Sequence, residues 1–177
     1  YWWGNISVSQ TEDYKFGFYD SRTRDWDRIA RLAPYYLIVK AAGNDRNDKR
    51  TGSHRVWNGS SWITSSAQRD DDGDYDCVST YATAKNILTV GAVNDLANGY
   101  ATASGVRMSN FSSWGPTDDG RIKPDVCAQG QGTSLINSAG NVGSGNGTSF
   151  SSPVLTGVVA CLWQAFPNKT NNEIIQM

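Results

Sequence analysis

Long apolar runs are missing from these 177 residues: no stretch approaches the ~20 residues a helix needs to cross a bilayer. Blocks of one charge are missing too. Sixteen Lys and Arg stand against 17 Asp and Glu, a net charge of −1, and no basic stretch could follow a phosphate backbone. That argues against a nucleic-acid partner. Cysteine is scarce. Cys77, Cys127 and Cys161 are an odd number, so they cannot close a complete disulfide framework, and no Cys/His spacing fits a zinc site. Cys127 and Cys161 sit in apolar runs, the setting of a buried free thiol, and a bridge from Cys77 has little support. There is one histidine, His54. There is no initiator Met and no signal peptide; the chain opens on Tyr1 and closes on "NNEIIQM", which reads as a helix begun. The expectation is a piece of a longer polypeptide, for which missing targeting signals say little about location.

What is present is globular in composition, with 38% hydrophobic and 19% charged residues. The length suits one domain or a large part of one. "DSRTRDWDRIARLAPYY" predicts a helix over about 21–33, capped by Asp20 or Ser21, ended by Pro34, with Trp26, Ile29, Ala30 and Ala33 on one face. "YYLIVKAAG" and "NILTVGAV" read as buried strands; "VRMSNFSSWG" and "PDVCAQ" are two more candidates, split by the turn "GPTDDG". Residues 44–80 read as a long inserted loop and residues 129–147 as a Gly-, Ser- and Asn-rich one. A helix over about 148–165, apolar nearly all round, should be central. Strands alternating with helices predict an α/β fold: a mostly parallel sheet flanked by helices.

Chemistry points to "NGTSFSSP", residues 146–153, where a polar glycine turn enters that apolar helix. A serine at a helix start has a plain use, as a cap for unpaired N–H groups. It can also be a nucleophile whose attack places an oxyanion beside those groups. Gly147 would let a substrate backbone approach closely. A second Gly-Thr-Ser, at Gly132–Ser134, has neither the proline nor the apolar helix behind it. "AAGND" closes a buried strand with Gly43 and Asn44, and parallel-sheet enzymes bind ligands at such strand ends. Asn44 can be a turn residue, or an amide donor to developing negative charge.

Taken in order, "AAGN", "SNFSSWGPTDDGRIKPDV" and "NGTSFSSPVLTGVVA" resemble the subtilisin-like serine peptidases. The resemblance covers about residues 35–45 and 85–165 and implies a subtilisin-like fold in an incomplete catalytic domain spanning 1–177. It implies Ser149 as nucleophile, Asn44 as oxyanion donor, and Ala42 and Gly43, with Gly147 and Thr148, as substrate-lining residues. "GRIKPDV" is a structural marker of that family, followed here by Ala128-Gln129-Gly130 where Ala-Pro-Gly is usual. The family order is Asp, His, Ser, so both partners of the serine should precede Asn44. His54 follows it, with nothing like "HGTH" around it, and reads as a solvated loop residue. Asp13, Asp20, Asp25 and Asp27 lie in loop or helix contexts that capping and solvation explain. The expectation is therefore an endopeptidase acting on peptides or proteins whose Asp and His lie upstream of Tyr1, the 177 residues alone being inactive. A secreted or cell-envelope location goes with the family. Trp2 stands where the family has a substrate-lining serine, so Trp2 and Trp3 read as packing or cleft-rim residues.

Two other readings compete. A non-catalytic relative would keep the fold as a binding module and lack the base. An esterase would need Gly-x-Ser-x-Gly, which no serine here satisfies. No cofactor is implied for the chemistry. "RDDDGDYD", Arg69–Asp76, clusters carboxylates as a structural calcium would require, but it misses the twelve-residue calcium loop and reads first as a solvated acidic loop; a structural calcium is what the family resemblance adds.

Overall fold

A computed structural model describes residues 5, 7–9, 12–48, 52–67 and 74–177. The predicted Trp2 and Trp3 roles, and most of the acidic 69–76 stretch, fall outside these.

The first helix, α1 (Ser21–Leu32), starts where Asp20 accepts the Thr23 N–H at 2.9 Å. The capping prediction holds, but the buried face is different. Thr23, Asp27 and Ala30 are buried, whereas Ile29 is 47% exposed. The reason is polar. The Asp27 carboxylate accepts the backbone N–H groups of Lys85 (2.8 Å) and Asn86 (2.7 Å) and the Tyr19 hydroxyl (2.6 Å), so the helix turns its carboxylate inward to hold the loop entering the central strand. Asp27 is thus an anchor rather than the solvated residue expected.

Three parallel strands form the sheet: β1 (Val39–Ala41), β4 (Leu88–Val93) and β5 (Val126–Gln129), in the order β1-β4-β5. All six residues of β4 are buried, as a central parallel strand requires. The run "VRMSNFSSWG" forms no strand of its own; only a single bridge joins Met108 to Val93. Two hairpins occupy segments that read as loops, β2 (His54–Trp57) with β3 (Trp62–Ser65), and β6 (Thr133–Ile136) with β7 (Val142–Gly145). In the first, Trp57 faces Trp62 across the ladder, ring centroids 5.6 Å apart, and the Asn58 N–H donates to the Ser61 carbonyl at 3.1 Å around a turn centred on Gly59 and Ser60.

The second long helix, α2 (Thr148–Ala165), lies on the sheet and packs Leu155, Val159 and Leu162 against Val39, Leu88 and Val126. It is not surrounded. Val154 is 44% and Val158 60% exposed, and Cys161 is exposed, because the sheet covers only one side of the helix. The buried-thiol expectation for Cys161 fails for the same reason, while Cys127 is half-buried, Cys77 is buried, and all three are free. A short α3 (Asn171–Ile175) opens on a capping box of Thr170 and Glu173. Its Asn171 amide donates to the carbonyls of Ala30 (2.7 Å) and Tyr36 (3.0 Å), tying the end of α1 to the end of the chain.

The "GRIKPDV" element explains itself in this frame. Lys123 is 5% exposed, and its ammonium bonds Asp125 Oδ2 at 2.7 Å and Thr89 Oγ1 at 3.2 Å. The same Asp125 oxygen accepts the Thr89 N–H at 2.7 Å. Burial pushes the Lys123 pKa down while Asp125 holds it up. A buried cation and its carboxylate clamp β5 to β4.

Candidate active site

The end of β1 and the start of α2 meet. Asn44 Oδ1 accepts the Thr148 backbone N–H at 2.8 Å and lies 3.0 Å from the Thr148 hydroxyl. The hydroxyl also lies 3.3 Å from both the N–H and the carbonyl of Gly43. Thr148 itself is 1% exposed. Two segments more than 100 residues apart in sequence are therefore joined by one threonine. The backbone N–H can only donate, so the atom facing it is the carboxamide oxygen and Nδ2 remains a donor directed elsewhere. A Cβ built on Gly147 would sit 3.5 Å from that Nδ2, which puts the amide nitrogen alongside the turn into α2.

The glycines are there for space and for backbone conformation. Gly43 has φ +125°, and a Cβ there would meet Ser113 Oγ at 2.8 Å. Ser113 uses that position twice: its N–H donates to the Gly43 carbonyl (3.0 Å) and its Oγ accepts the Asp45 N–H (3.0 Å). Gly147, φ +149°, is the residue capping α2 and donates its N–H to the Gly130 carbonyl at 2.7 Å. A Cβ on Gly130 would fall 2.6 Å from the Ala92 side chain and 2.8 Å from the Gly147 carbonyl, so no side chain fits there. Packing thus requires the glycine that the resemblance leads one to expect, although Gln129 stands before it in place of the usual proline.

Ser149 is the second residue of α2, exposed, and its hydroxyl makes no hydrogen bond among the described residues. Helix α2 carries no side-chain cap of its own. The plain reading of Ser149 as the cap fails, because Asn44 meets that need from another loop. N–H groups in a helix's first turn lack intrahelical acceptors and give that end a partial positive charge. The arrangement offers an exposed hydroxyl, a backbone donor and a side-chain donor at one place. Ala42, fully buried, donates to the Val90 carbonyl (2.9 Å) and accepts from the Ser79 N–H (3.4 Å), fixing the strand end beneath.

Among the described residues no base is supplied nearby. His54 opens β2 in the separate hairpin, half-buried, with its Nδ1 2.9 Å from the Gly52 carbonyl and its Nε2 buried, so it stands on a strand rather than in a loop and makes no contact with this cluster. Lys40, the half-buried amine of β1, bonds the Ala41 carbonyl at 2.9 Å; burial pushes its pKa down. The Ser152 hydroxyl donates to the neighbouring Val39 carbonyl at 3.4 Å, tying α2 to β1. Among the described residues no group of three or more His, Cys, Asp or Glu could hold a metal ion, and no helix is long and apolar enough to cross a membrane. Thr148 has a duty that sequence reasoning does not reach: beyond the substrate-lining role the motif implies, it links the two loops. The register of Gly-Thr-Ser on the helix start is the available signal.

A family model described as the subtilase family matches residues 3–177. C5a peptidase of Streptococcus pyogenes is 39% identical over 82 residues, 43% of this chain and 7% of that protein. Serine protease AprX of Bacillus subtilis (strain 168) is 29% identical over 118 residues, 59% of this chain and 26% of that protein. The chain thus spans less than a third of either relative. Among solved structures, the self-cleaved protease domain of PatA aligns with TM-score 0.55 at 23% identity over 91% of this chain and 46% of its own. Sphericase aligns with TM-score 0.53 at 20% identity over 79% and 37%. Those two likenesses establish the fold.

Proposed function

The chain belongs to the subtilase family, whose model matches residues 3–177, and from that premise we propose that its polypeptide is a serine endopeptidase with Ser149 as nucleophile. Ser149 Oγ attacks the scissile carbonyl to form an acyl-enzyme. Asn44 Nδ2 and the Ser149 backbone N–H hold the oxyanion. Ala42, Gly43, Gly147 and Thr148 shape the substrate cleft around them. The observation that carries this reading is the 2.8 Å bond from the Thr148 N–H to Asn44 Oδ1, which holds the carboxamide at the start of α2 with its nitrogen free to donate.

A serine hydroxyl is a weak nucleophile without an adjacent base. We assign the base, and the carboxylate that orients it, to a His and an Asp outside these 177 residues. The apolar outer face of α2, with Val154 and Val158, and β1, an edge strand among the described residues, are surfaces on which that part of the polypeptide would pack. The 177 residues alone are then inactive. Substrates are peptides or proteins, and a secreted or cell-envelope location accompanies the reading. We also propose a structural calcium at the acidic 69–76 stretch, tested by loss of thermal stability on chelation.

The decisive experiment replaces Ser149 by Ala in the full-length polypeptide and follows peptide hydrolysis and fluorophosphonate labelling. Loss of both supports the assignment. Undiminished hydrolysis, with labelling elsewhere, overturns it. Wild-type protein that neither hydrolyses nor labels selects the non-catalytic binding module instead.

A further inference from the structure

A cavity of about 370 Å³ lies between residues 13–16, the first turn of α1 and residues 79–81, and the chemistry above leaves it unused. It is coupled to the candidate site. The Ser79 N–H donates to the Ala42 carbonyl at 3.4 Å, two residues before Asn44, so one wall is fastened to the strand end that carries the amide donor. That wall continues to Tyr81, whose φ of +72° is a costly conformation for a bulky side chain. The strain is held in place. Thr23 Oγ1 accepts the Tyr81 N–H at 3.3 Å, the Tyr81 ring packs on Trp26 with centroids 4.6 Å apart, and the Arg22 guanidinium lies 5.5 Å from its centroid.

The charges around the cavity are unequal in their commitments. Arg22 Nε is bonded to Asp20 at 2.9 Å, and Asp20 also receives the Thr23 N–H. Asp13, 8% exposed, accepts the Lys15 N–H at 3.3 Å and is otherwise engaged. The Lys15 side chain is half-buried, lines the cavity, and has no ion-pair partner among the described residues. Phe16 and Tyr81 supply flat apolar walls, and Ser79 and Thr80 supply hydroxyls.

Resting on the peptidase reading, we propose that this cavity receives the substrate side chain preceding the cleaved bond and selects a carboxylate, paired by the Lys15 ammonium. Phe16 and Tyr81 flank its methylene stem. A basic side chain would meet Lys15 and Arg22 as like charges. An apolar one would bury Lys15 without a partner, which is unfavourable.

Two arms test this in the full-length polypeptide. The first compares peptides differing only in Glu, Gln or Lys before the cleaved bond. Glu should exceed Gln in kcat/KM by at least about fivefold, the equivalent of one partly exposed ion pair. Lys15→Met should erase that preference, and Lys15→Glu should reverse the order of the Glu and Lys peptides. Equal cleavage of the three, or an order indifferent to both variants, overturns the proposal. The second arm needs no hydrolysis. Fluorescence anisotropy follows binding of labelled Glu and Lys peptides to the Ser149→Ala protein, with and without the added substitution Lys15→Glu. Charge-dependent binding that Lys15→Glu reverses supports the cavity assignment even if wild-type protein hydrolyses nothing; equal binding of both peptides sinks it while leaving the role of Ser149 to be judged by its own test.

Discussion

Replacing Thr148 by Val removes one hydroxyl at constant shape and tests how the amide donor is aimed. The hydroxyl sits 3.0 Å from Asn44 Oδ1 and 3.3 Å from the Gly43 N–H and carbonyl, in a residue 1% exposed. In the variant the Gly43 N–H loses its acceptor, a penalty of about 1–3 kcal/mol for a buried donor. The 3.3 Å separation marks that bond as long, so the stability loss should be near the lower end, about 1–2 kcal/mol. Asn44 keeps the stronger contact, the Thr148 N–H at 2.8 Å, and loses only the second. One neutral hydrogen bond is worth about 1 kcal/mol, so kcat should fall about fivefold through poorer alignment of Nδ2. KM should stay within a factor of about two, because the hydroxyl faces Asn44 and Gly43 rather than the cleft. The assay is steady-state peptide hydrolysis by the full-length protein, with thermal unfolding alongside. Thr148→Ser should recover kcat. Unchanged kcat despite lowered stability would refute the aiming argument, and so would a Ser variant no better than Val.

Asn44→Ala should lower kcat by about 10²–10³, a magnitude taken from the family's own amide donor rather than worked from these distances; a smaller effect than that of Thr148→Val would remove Asn44 from the oxyanion site. Asp27→Ala strands two backbone N–H groups and a tyrosine hydroxyl, so unfolding free energy should drop by about 3 kcal/mol, whereas Asp27→Asn, still able to accept from Lys85 and Asn86, should lose about 1 kcal/mol in chemical denaturation. Lys123→Met leaves Asp125, 28% exposed, without its cation and should cost about 2–3 kcal/mol, below the value for a fully buried pair. Burial, and then the bond to Asp27, push the Tyr19 hydroxyl up to about 12 from an ordinary 10.0. Because the folded pKa is the higher one, that stabilisation is complete below pH 10 and is lost as pH climbs towards 12. Tyrosinate absorbance should contain a late phase near pH 12 that Tyr19→Phe abolishes.

The parts of this fold legible in the sequence are those where one signal dominates. β4 is buried on both faces and so appears as an uninterrupted apolar run; α1 has a cap, a period and a terminating proline. Both hairpins escape because their strands are short and polar, and their glycines and asparagines read as loop. The β2–β3 hairpin does carry a signal, the turn-forming Asn58-Gly59-Ser60-Ser61 between "HRVW" and "WITS", with Gly59 and Ser60 at its centre. The errors on α1 and α2 share a cause. Apolar periodicity reports which residues tolerate burial, whereas Asp27 is buried because two N–H groups need its oxygens, and Val158 is exposed because the sheet lies on the other side. Lys123 has the same logic: no composition rule buries a lysine, but Asp125 and Thr89 give its ammonium two partners.

At the site itself the competing readings attach to the wrong residue. A cap and an oxyanion donor look like alternatives for a serine and an asparagine taken separately. The geometry divides one carboxamide between them. The oxygen of Asn44 accepts the first free N–H of α2, as a cap does, and its nitrogen, alongside Gly147, is left for the donor role proposed above. Stability and alignment thus rest on the same bond. A residue able to cap but unable to donate, as in Asn44→Asp, separates them: the carboxylate should hold α2 at least as well, since anions are favoured at a helix N-terminus, while presenting negative charge to a developing oxyanion. Thermal stability near wild type with kcat reduced below that of Asn44→Ala is the expected pair of results. Joint retention of both would mean that the carboxamide serves the helix alone.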